Sequence, residues 1–142
     1  MTTTATCIFC RIIRKEIPSF KLIETENVYS FLDIGPLSEG HALVIPKHHG
    51  ERLHDIPTDQ LAEVLPVAKQ IVDALRVETG LEDYNILQNN GHAAHQEVPH
   101  VHFHIIPKRS SADGLGIKWA VSEDAKDMAK ISDLHKKLAA RF

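Results

Sequence analysis

A chain of 142 residues with 43% apolar side chains has material for one hydrophobic core, so residues 1–142 are expected to form a single domain. Its 16 basic against 19 acidic residues give a formal charge of -3 and no cationic field to neutralise a phosphate backbone, which argues against polymeric DNA or RNA as a partner. No apolar run reaches the roughly 20 residues that span a bilayer, and Met1 to Thr6 lack the basic-then-apolar order of a secretion signal, so no membrane association is expected and the cytosol is the expected address, with the nucleus open to so small a chain.

After the threonine-rich start, Ile8, Phe9, Ile12 and Ile13 fall at helical spacing around Cys7 and Cys10 and stop before Ile17-Pro18, which predicts a short helix against the core. Val28 to Ile34 and His41 to Pro46 are rich in β-branched and aromatic residues, with Gly35-Pro36 and Glu39-Gly40 between them, and read as neighbouring strands. From Thr58 at the N-cap, Leu61, Val64, Leu65, Ala68, Ile71, Val72 and Leu75 keep the stripe of the main helix, which Gly80 ends. Pro66 inside it removes a backbone donor and crowds the preceding turn, so a kink or local loosening is expected. Tyr84 to Gln88 and His100 to Pro107 read as further strands, and Ala125, Met128, Ile131, Leu134 and Leu138 give Asp124 to Leu138 a weaker helical stripe. Strands outnumber helices and mostly follow one another through short turns. This predicts an α+β domain on an antiparallel sheet of about five strands, with one main helix and short N-terminal and C-terminal helices.

Ten histidines are the compositional anomaly, and three fall in one segment, His100-Val101-His102-Phe103-His104-Ile105-Ile106-Pro107. A strand sends successive side chains to opposite faces, so the three imidazoles are expected on one solvated face while Val101, Phe103 and Ile105 enter the core. A slip of one residue would bury the imidazoles and expose the apolar set, which pins the register. Such a face can be plain polar surface, part of a metal site or the seat of a nucleophile. Histidines two apart on a strand stand about 7 Å apart at the backbone, which disfavours all three converging on one ion. A neutral imidazole, with an unperturbed pKa of about 6.5, is largely unprotonated and nucleophilic near neutral pH.

His100 to Ile106 match at every position the His-φ-His-φ-His-φ-φ signature, φ being apolar, of the histidine-triad (HIT) superfamily, which the chain resembles. Cys7-Ile8-Phe9-Cys10-Arg11-Ile12-Ile13, Phe31-Leu32-Asp33-Ile34, Gly40-His41-Ala42-Leu43-Val44-Ile45-Pro46-Lys47, Asn89-Asn90-Gly91 and Gln96-Glu97-Val98 resemble the Hint branch in its order, spanning 7–108 and leaving a tail of 109–142. The resemblance implies a HIT-like fold, a homodimer whose two half-sheets join, and hydrolysis of purine nucleoside phosphoramidates such as AMP joined to an amine. It implies that His102 attacks the α-phosphorus, expels the amine and is released by water, with its other ring nitrogen donating to a backbone carbonyl. His100, His104 and His41, the fourth histidine of the pattern, complete the catalytic set.

Gln96, the backbone N–H groups around Glu97 and Val98, His104 and Asn89 are implied on the phosphate side, where charge builds on oxygen. Gln96 and Asn89 equally suit turns in which they satisfy local backbone. Asp33 is implied to hold the ribose, one carboxylate accepting from two hydroxyls. Ile8, Phe9, Ile12, Phe31, Leu32 and Ile34 fall on the apolar slot for the base, and such residues are also plain core. Glu97 departs from the animal Hint proteins, which carry a serine there beside the phosphate. A carboxylate at this place either points away or carries a proton and donates to the leaving amine.

Cys7 and Cys10 are spaced as metal or redox pairs are, too close for a disulfide framework. The resemblance implies a structural zinc held by Cys7, Cys10, His49 and His100, with His48 the alternative to His49, and no cofactor for the chemistry itself. Four protein ligands would leave such an ion no position for water. Two buried thiols packing as small apolar groups is the other reading. The sequence also leaves open a dinucleoside polyphosphate hydrolase of the same superfamily and a nucleotide-binding regulatory protein whose hydrolysis is incidental.

Overall fold

The computed structural model describes residues 3–142; Met1 and Thr2 of the threonine-rich start lie outside the described residues. The apolar spacing after Cys7 produces the short helix α1 (Ile8–Ile13), with Cys7 as its N-cap. Strands β1 (Phe20–Glu24), β2 (Val28–Leu32) and β3 (Ala42–Pro46) follow, then α2 (Thr58–Thr79), β4 (Tyr84–Gln88), β5 (Phe103–Pro107) and α3 (Met128–Ala139). Every pairing is antiparallel and the sheet order is β1-β2-β3-β5-β4, which leaves β1 and β4 as edges. The α+β architecture and the number of strands agree with the sequence reading.

Alternation divides the sheet into two faces. On one, Val28, Ala42, Val44 and Ile105 pack against Val64, Val67, Ala68, Ile71 and Val72 of α2. On the other, Tyr29, Phe31, Leu43 and Ile45 pack against Phe9, Cys10 and Ile12 of α1. Burial of Val64, Val67, Ile71 and Val72, at about 1.5–3 kcal/mol each, outweighs the ~3 kcal/mol that proline costs inside a helix. Accordingly α2 runs continuously through Pro66, which sits on its exposed side. Gly80 closes it at φ 69°, its N–H donating to the Arg76 carbonyl.

Several boundaries differ from the sequence reading. Thr58 is the first residue of α2 and Pro57 occupies the N-cap, so the hydroxyl cap expected there is not formed. β2 stops at Leu32 and β3 starts at Ala42; beyond them the Asp33 N–H still donates to the His41 carbonyl at 2.9 Å. β1 escaped the sequence reading because Phe20, Lys21 and Leu22 are exposed on an edge, so burial never imposed alternation on them. Its register breaks between Lys21 and Glu24, and the buried Ser30 hydroxyl repairs the gap by accepting from the Ile23 N–H and donating to the Ile23 carbonyl, both at 2.8 Å. α3 begins at Met128, capped by Asp127, and none of its residues is buried.

Beyond β5 the Lys108 ammonium gathers the carbonyls of Ser111, Asp113 and Leu115, folding the start of the tail back on itself. Gly114 makes that fold possible: at φ 68°, a Cβ there would stand 2.4 Å from the Pro107 carbonyl oxygen.

Candidate active site

The strand expected over His100 to Pro107 begins only at Phe103, because the Val101 N–H donates to the Gly50 carbonyl at 2.8 Å. His104 pairs with Leu43 across the β3–β5 ladder and therefore stands on the α1 face. The His102 ring lies 4.8 Å from the His104 ring and 5.1 Å from the Phe9 ring. A solvated face was expected here; instead α1 brings Phe9 against it, leaving His102 only 6% exposed and His41 buried.

Hydrogen-bond partners fix the tautomers of these rings. His102 Nδ1 lies 2.7 Å from the His100 carbonyl oxygen, which can only accept, so the proton is on Nδ1 and the lone pair on Nε2. The Leu37 N–H donates to His41 Nδ1 at 3.1 Å, so His41 carries its proton on Nε2 and donates to His104 Nδ1 at 2.9 Å. His104, having accepted at Nδ1, presents an Nε2–H. The two neighbouring rings thus offer opposite functions, a lone pair on His102 and a donor on His104. The expectation that the second nitrogen of His102 donates to a backbone carbonyl is met.

Electrostatics hold this pattern. Burial, with the repulsion His102 and His41 would exert once protonated, pushes His104 down to about 4. Burial also lowers His102, against the opposing pull of its bond to the His100 carbonyl, and lowers His41, against the Asp33 carboxylate. All three rings are neutral near neutral pH, as the tautomer chain requires. Asp33 spends Oδ1 on the Gly35 N–H at 2.8 Å and holds Oδ2 3.7 Å from His41 Nε2. Asp33, His41 and His104 place one ligand atom each within 4.8 Å of the others, yet the Leu37 N–H keeps the His41 nitrogen protonated, and this set is a hydrogen-bond relay.

A loop after β4 walls the site. The Gln96 amide accepts from the Gly91 N–H at 2.7 Å and donates to the carbonyls of Glu51 and Val98, and Asn89 donates to the His95 carbonyl at 3.2 Å. Both side chains serve backbone here, Asn89 within the loop and Gln96 both within it and across to the segment that follows β3. His95, at φ 65°, takes the left-handed conformation that turns the loop. The Glu97 side chain is 80% exposed and stands 3.7 Å from His95 Nε2, which selects the outward of the two orientations considered from sequence.

A second cluster lies behind the first. His100 is fully buried; its Nε2–H donates to the Pro46 carbonyl at 2.8 Å, which leaves the Nδ1 lone pair facing Cys7 Sγ at 3.5 Å, Cys10 Sγ at 3.6 Å and His49 Nδ1 at 3.3 Å. Cys10 Sγ is 3.4 Å from His49 Nδ1. A tetrahedral zinc with bonds of about 2.3 Å to sulfur and about 2.0–2.1 Å to nitrogen has S···N edges of about 3.5 Å and N···N edges of about 3.3 Å. The donor set, the spacing and the second-nitrogen bond of His100 all fit such an ion. Without a cation, burial and the neighbouring Cys7 push the Cys10 thiol up to about 12.

The HIT domain family matches residues 14–111. The chain belongs to the HIT family. It is 54% identical to the adenosine 5'-monophosphoramidase HNT1 of Candida albicans, over 97% of this chain and 92% of that one. The Saccharomyces cerevisiae protein of the same name is 55% identical, over 99% and 85%. Among solved structures, the histidine triad nucleotide-binding protein of Candida albicans superposes with a TM-score of 0.87 at 54% identity, covering 95% of this chain and 96% of that one. A Zn-bound histidine triad family protein from Mycobacterium smegmatis superposes at 0.73 with 31% identity, covering 96% and 99%. Cys7 and Cys10 precede the span that the HIT domain matches.

Within this HIT fold the expected residues do not all converge. His100, expected in the catalytic set, turns its ring into the Cys7/Cys10/His49 cluster and offers the reacting rings only its carbonyl. Leu32, expected in the apolar slot, pairs with Ala42 and packs on the α2 face, away from the imidazoles; it is one residue out of phase with Phe31. Phe31 touches Phe9 edge-on, Ile12 is buried beneath, and Ile8 and Ile34 are exposed at 47% and 86%. The groups the sequence did not reveal are backbone ones, the Leu37 N–H and the Pro46 and Gly50 carbonyls, which no side-chain pattern marks.

Proposed function

We propose that this chain hydrolyses adenosine 5'-phosphoramidates through a nucleotidyl group carried on His102 Nε2. The observation that carries the reading is the paired tautomers, a buried lone pair on His102 beside a protonated nitrogen on His104, 4.8 Å between ring centres. His102 attacks the α-phosphorus as the P–N bond breaks, and the nitrogen takes up a proton from solvent and leaves as the amine, a proton that the water of the second step returns. The His104 N–H stabilises the charge on the phosphoryl oxygen, with the N–H groups around Glu97 and Val98 as further donors. Water then attacks phosphorus, releasing AMP and regenerating the lone pair. Asp33 takes the ribose hydroxyls through Oδ2, and Phe31, Phe9, Ile8 and Ile34 supply the apolar slot for the base. Two relatives more than half identical, both named adenosine 5'-monophosphoramidase, support the substrate class.

Zinc in the Cys7/Cys10/His49/His100 cluster is part of the proposal, supported by the tetrahedral spacing and by the Zn-bound relative; there it would brace the fold and touch none of the reacting atoms. A homodimer formed along the β4 edge, which exposes Tyr84 and Ile86, completes it. The two free thiols suit a reducing compartment, cytosol or nucleus.

The test is mass spectrometry of enzyme quenched in alkaline denaturant during turnover of an AMP-amine conjugate. A nucleotidyl adduct is expected on His102. His102→Ala should abolish the adduct and lower kcat by about four orders of magnitude or more while AMP still binds. An adduct elsewhere, or turnover retained in the variant, overturns the mechanism.

A further inference from the structure

Two clusters of histidine chemistry lie back to back, and one peptide unit joins them. This is the unit made of the His100 carbonyl and the Val101 N–H. Its oxygen accepts from His102 Nδ1 at 2.7 Å and its N–H donates to the Gly50 carbonyl at 2.8 Å. Both flanks of this unit belong to the metal-type cluster. On one side His100 supplies the Nδ1 that faces the two sulfurs. On the other, Gly50 directly follows His49, whose Nδ1 lies 3.3 Å from that of His100. Nothing in the ladder shares the duty, because β5 begins at Phe103.

A second contact runs parallel to the first. Phe9 lies in the sequence between Cys7 and Cys10, and its ring meets His100 at 5.8 Å and His102 at 5.1 Å, both edge-on. The residues that would hold the ion therefore also hold the wall of the nucleophile. Gly50 is closely surrounded: a Cβ there would stand 3.0 Å from Asp55 Cβ and 3.3 Å from the Asp55 carbonyl oxygen.

We propose that the Cys7/Cys10/His49/His100 cluster, when it holds its ion, is a positioning device for His102, acting through the His100–Val101 peptide and the Phe9 ring. His100, held by the ion when bound and by the Pro46 carbonyl, would fix the backbone, and the backbone carbonyl would keep the proton of His102 on Nδ1. The lone pair then stays on Nε2. Loss of the ion would free the peptide to tilt, and part of the His102 population would pass to the opposite tautomer, with its proton on the nitrogen that must attack. The inference rests on the metal reading of the cluster and adds to it a task in the chemistry.

Three readouts on the full chain test it. Zinc content, with the absorption of the cobalt-substituted protein, reports whether the cluster binds an ion. Nitrogen-15 NMR of histidine-labelled protein reports the His102 tautomer with and without zinc, and steady-state kinetics with AMP binding separate kcat from affinity. The expectation is one zinc per chain, a His102 held as the Nδ1–H tautomer when zinc is present and mixed when it is removed. With zinc removed, kcat should fall roughly ten- to a hundredfold, the range for losing an orienting partner, at nearly constant AMP affinity.

His100→Cys serves where the zinc-free protein does not stay folded. A thiolate in place of the imidazole retains the ion but breaks the ring's link to Pro46, and the same tautomer shift and kcat loss are expected with zinc still bound. If the wild-type chain takes up no zinc, the metal reading itself falls, and this inference with it. Zinc bound, with the His102 tautomer and kcat indifferent to its removal or to His100→Cys, overturns the inference alone.

Discussion

His102, just ahead of β5, and His104 within it are the same residue type two positions apart, and a single hydrogen bond to each makes them chemically opposite. The His102 Nδ1–H donates a hydrogen bond to a carbonyl, and His104 Nδ1 accepts one from His41. Burial adds a pH dependence. His104 drops from 6.5 to about 4, so between those values the unfolded chain takes up a proton that the folded chain refuses. Its contribution to stability is complete above the unfolded value and is lost as pH falls through the folded one. Thermal melts from neutral pH down to about 4 should show a falling Tm, and His104→Gln should flatten that fall by removing the group. A slope unchanged in the variant would assign the acid sensitivity elsewhere. The same substitution should lower kcat roughly 10²- to 10³-fold, the scale for losing one donor to a developing oxyanion.

Secondary elements were legible wherever burial imposed a period. α2 shows its stripe plainly and ends where Gly80 says it should, and β2, β3 and β4 appear close to the expected bounds. β1 was not legible, because an exposed edge strand carries no alternation, and the start of β5 was misplaced because the Val101 N–H leaves the ladder for Gly50. At the site, the imidazoles and the Cys7/Cys10/His49/His100 set could be read from the HIT resemblance, but that the His100 ring belongs to that set alone and turns away from the catalytic rings could not. His100 and His102 differ by their neighbours in space, and those neighbours, Cys7, Cys10 and the Pro46 carbonyl, lie more than 50 residues away in sequence. Pro66 offers a test at this scale. Restoring the missing donor with Pro66→Ala, on an exposed turn, should raise stability by about 1–3 kcal/mol in urea unfolding and leave kcat unchanged. A destabilised variant would show that the turn before Pro66 is shaped to need it.

For the molecule as a whole, the sheet ends on β4, whose backbone edge and exposed Tyr84 and Ile86 adjoin an open groove of about 400 Å³ lined also by Leu65, Ala68 and Val72 of α2. The homodimer proposed along this edge would close with two-fold symmetry, so one residue would act twice across the axis. Ile86→Lys places a charge on each side of that seam and should shift sedimentation from dimer to monomer, and wild-type protein sedimenting as a monomer at micromolar concentration would dispose of the homodimer.

The partition of β3 between two packing partners reaches further than the fold. Ala42 and Val44 look toward α2, Leu43 and Ile45 toward α1 and the histidines. Neighbouring codons along this strand therefore answer to different demands. Truncations at the even positions should yield heat-sensitive enzyme that works normally once cooled, whereas truncations at 43 and 45 should leave defects that cooling does not repair, a tolerance map that alternates with the pleat.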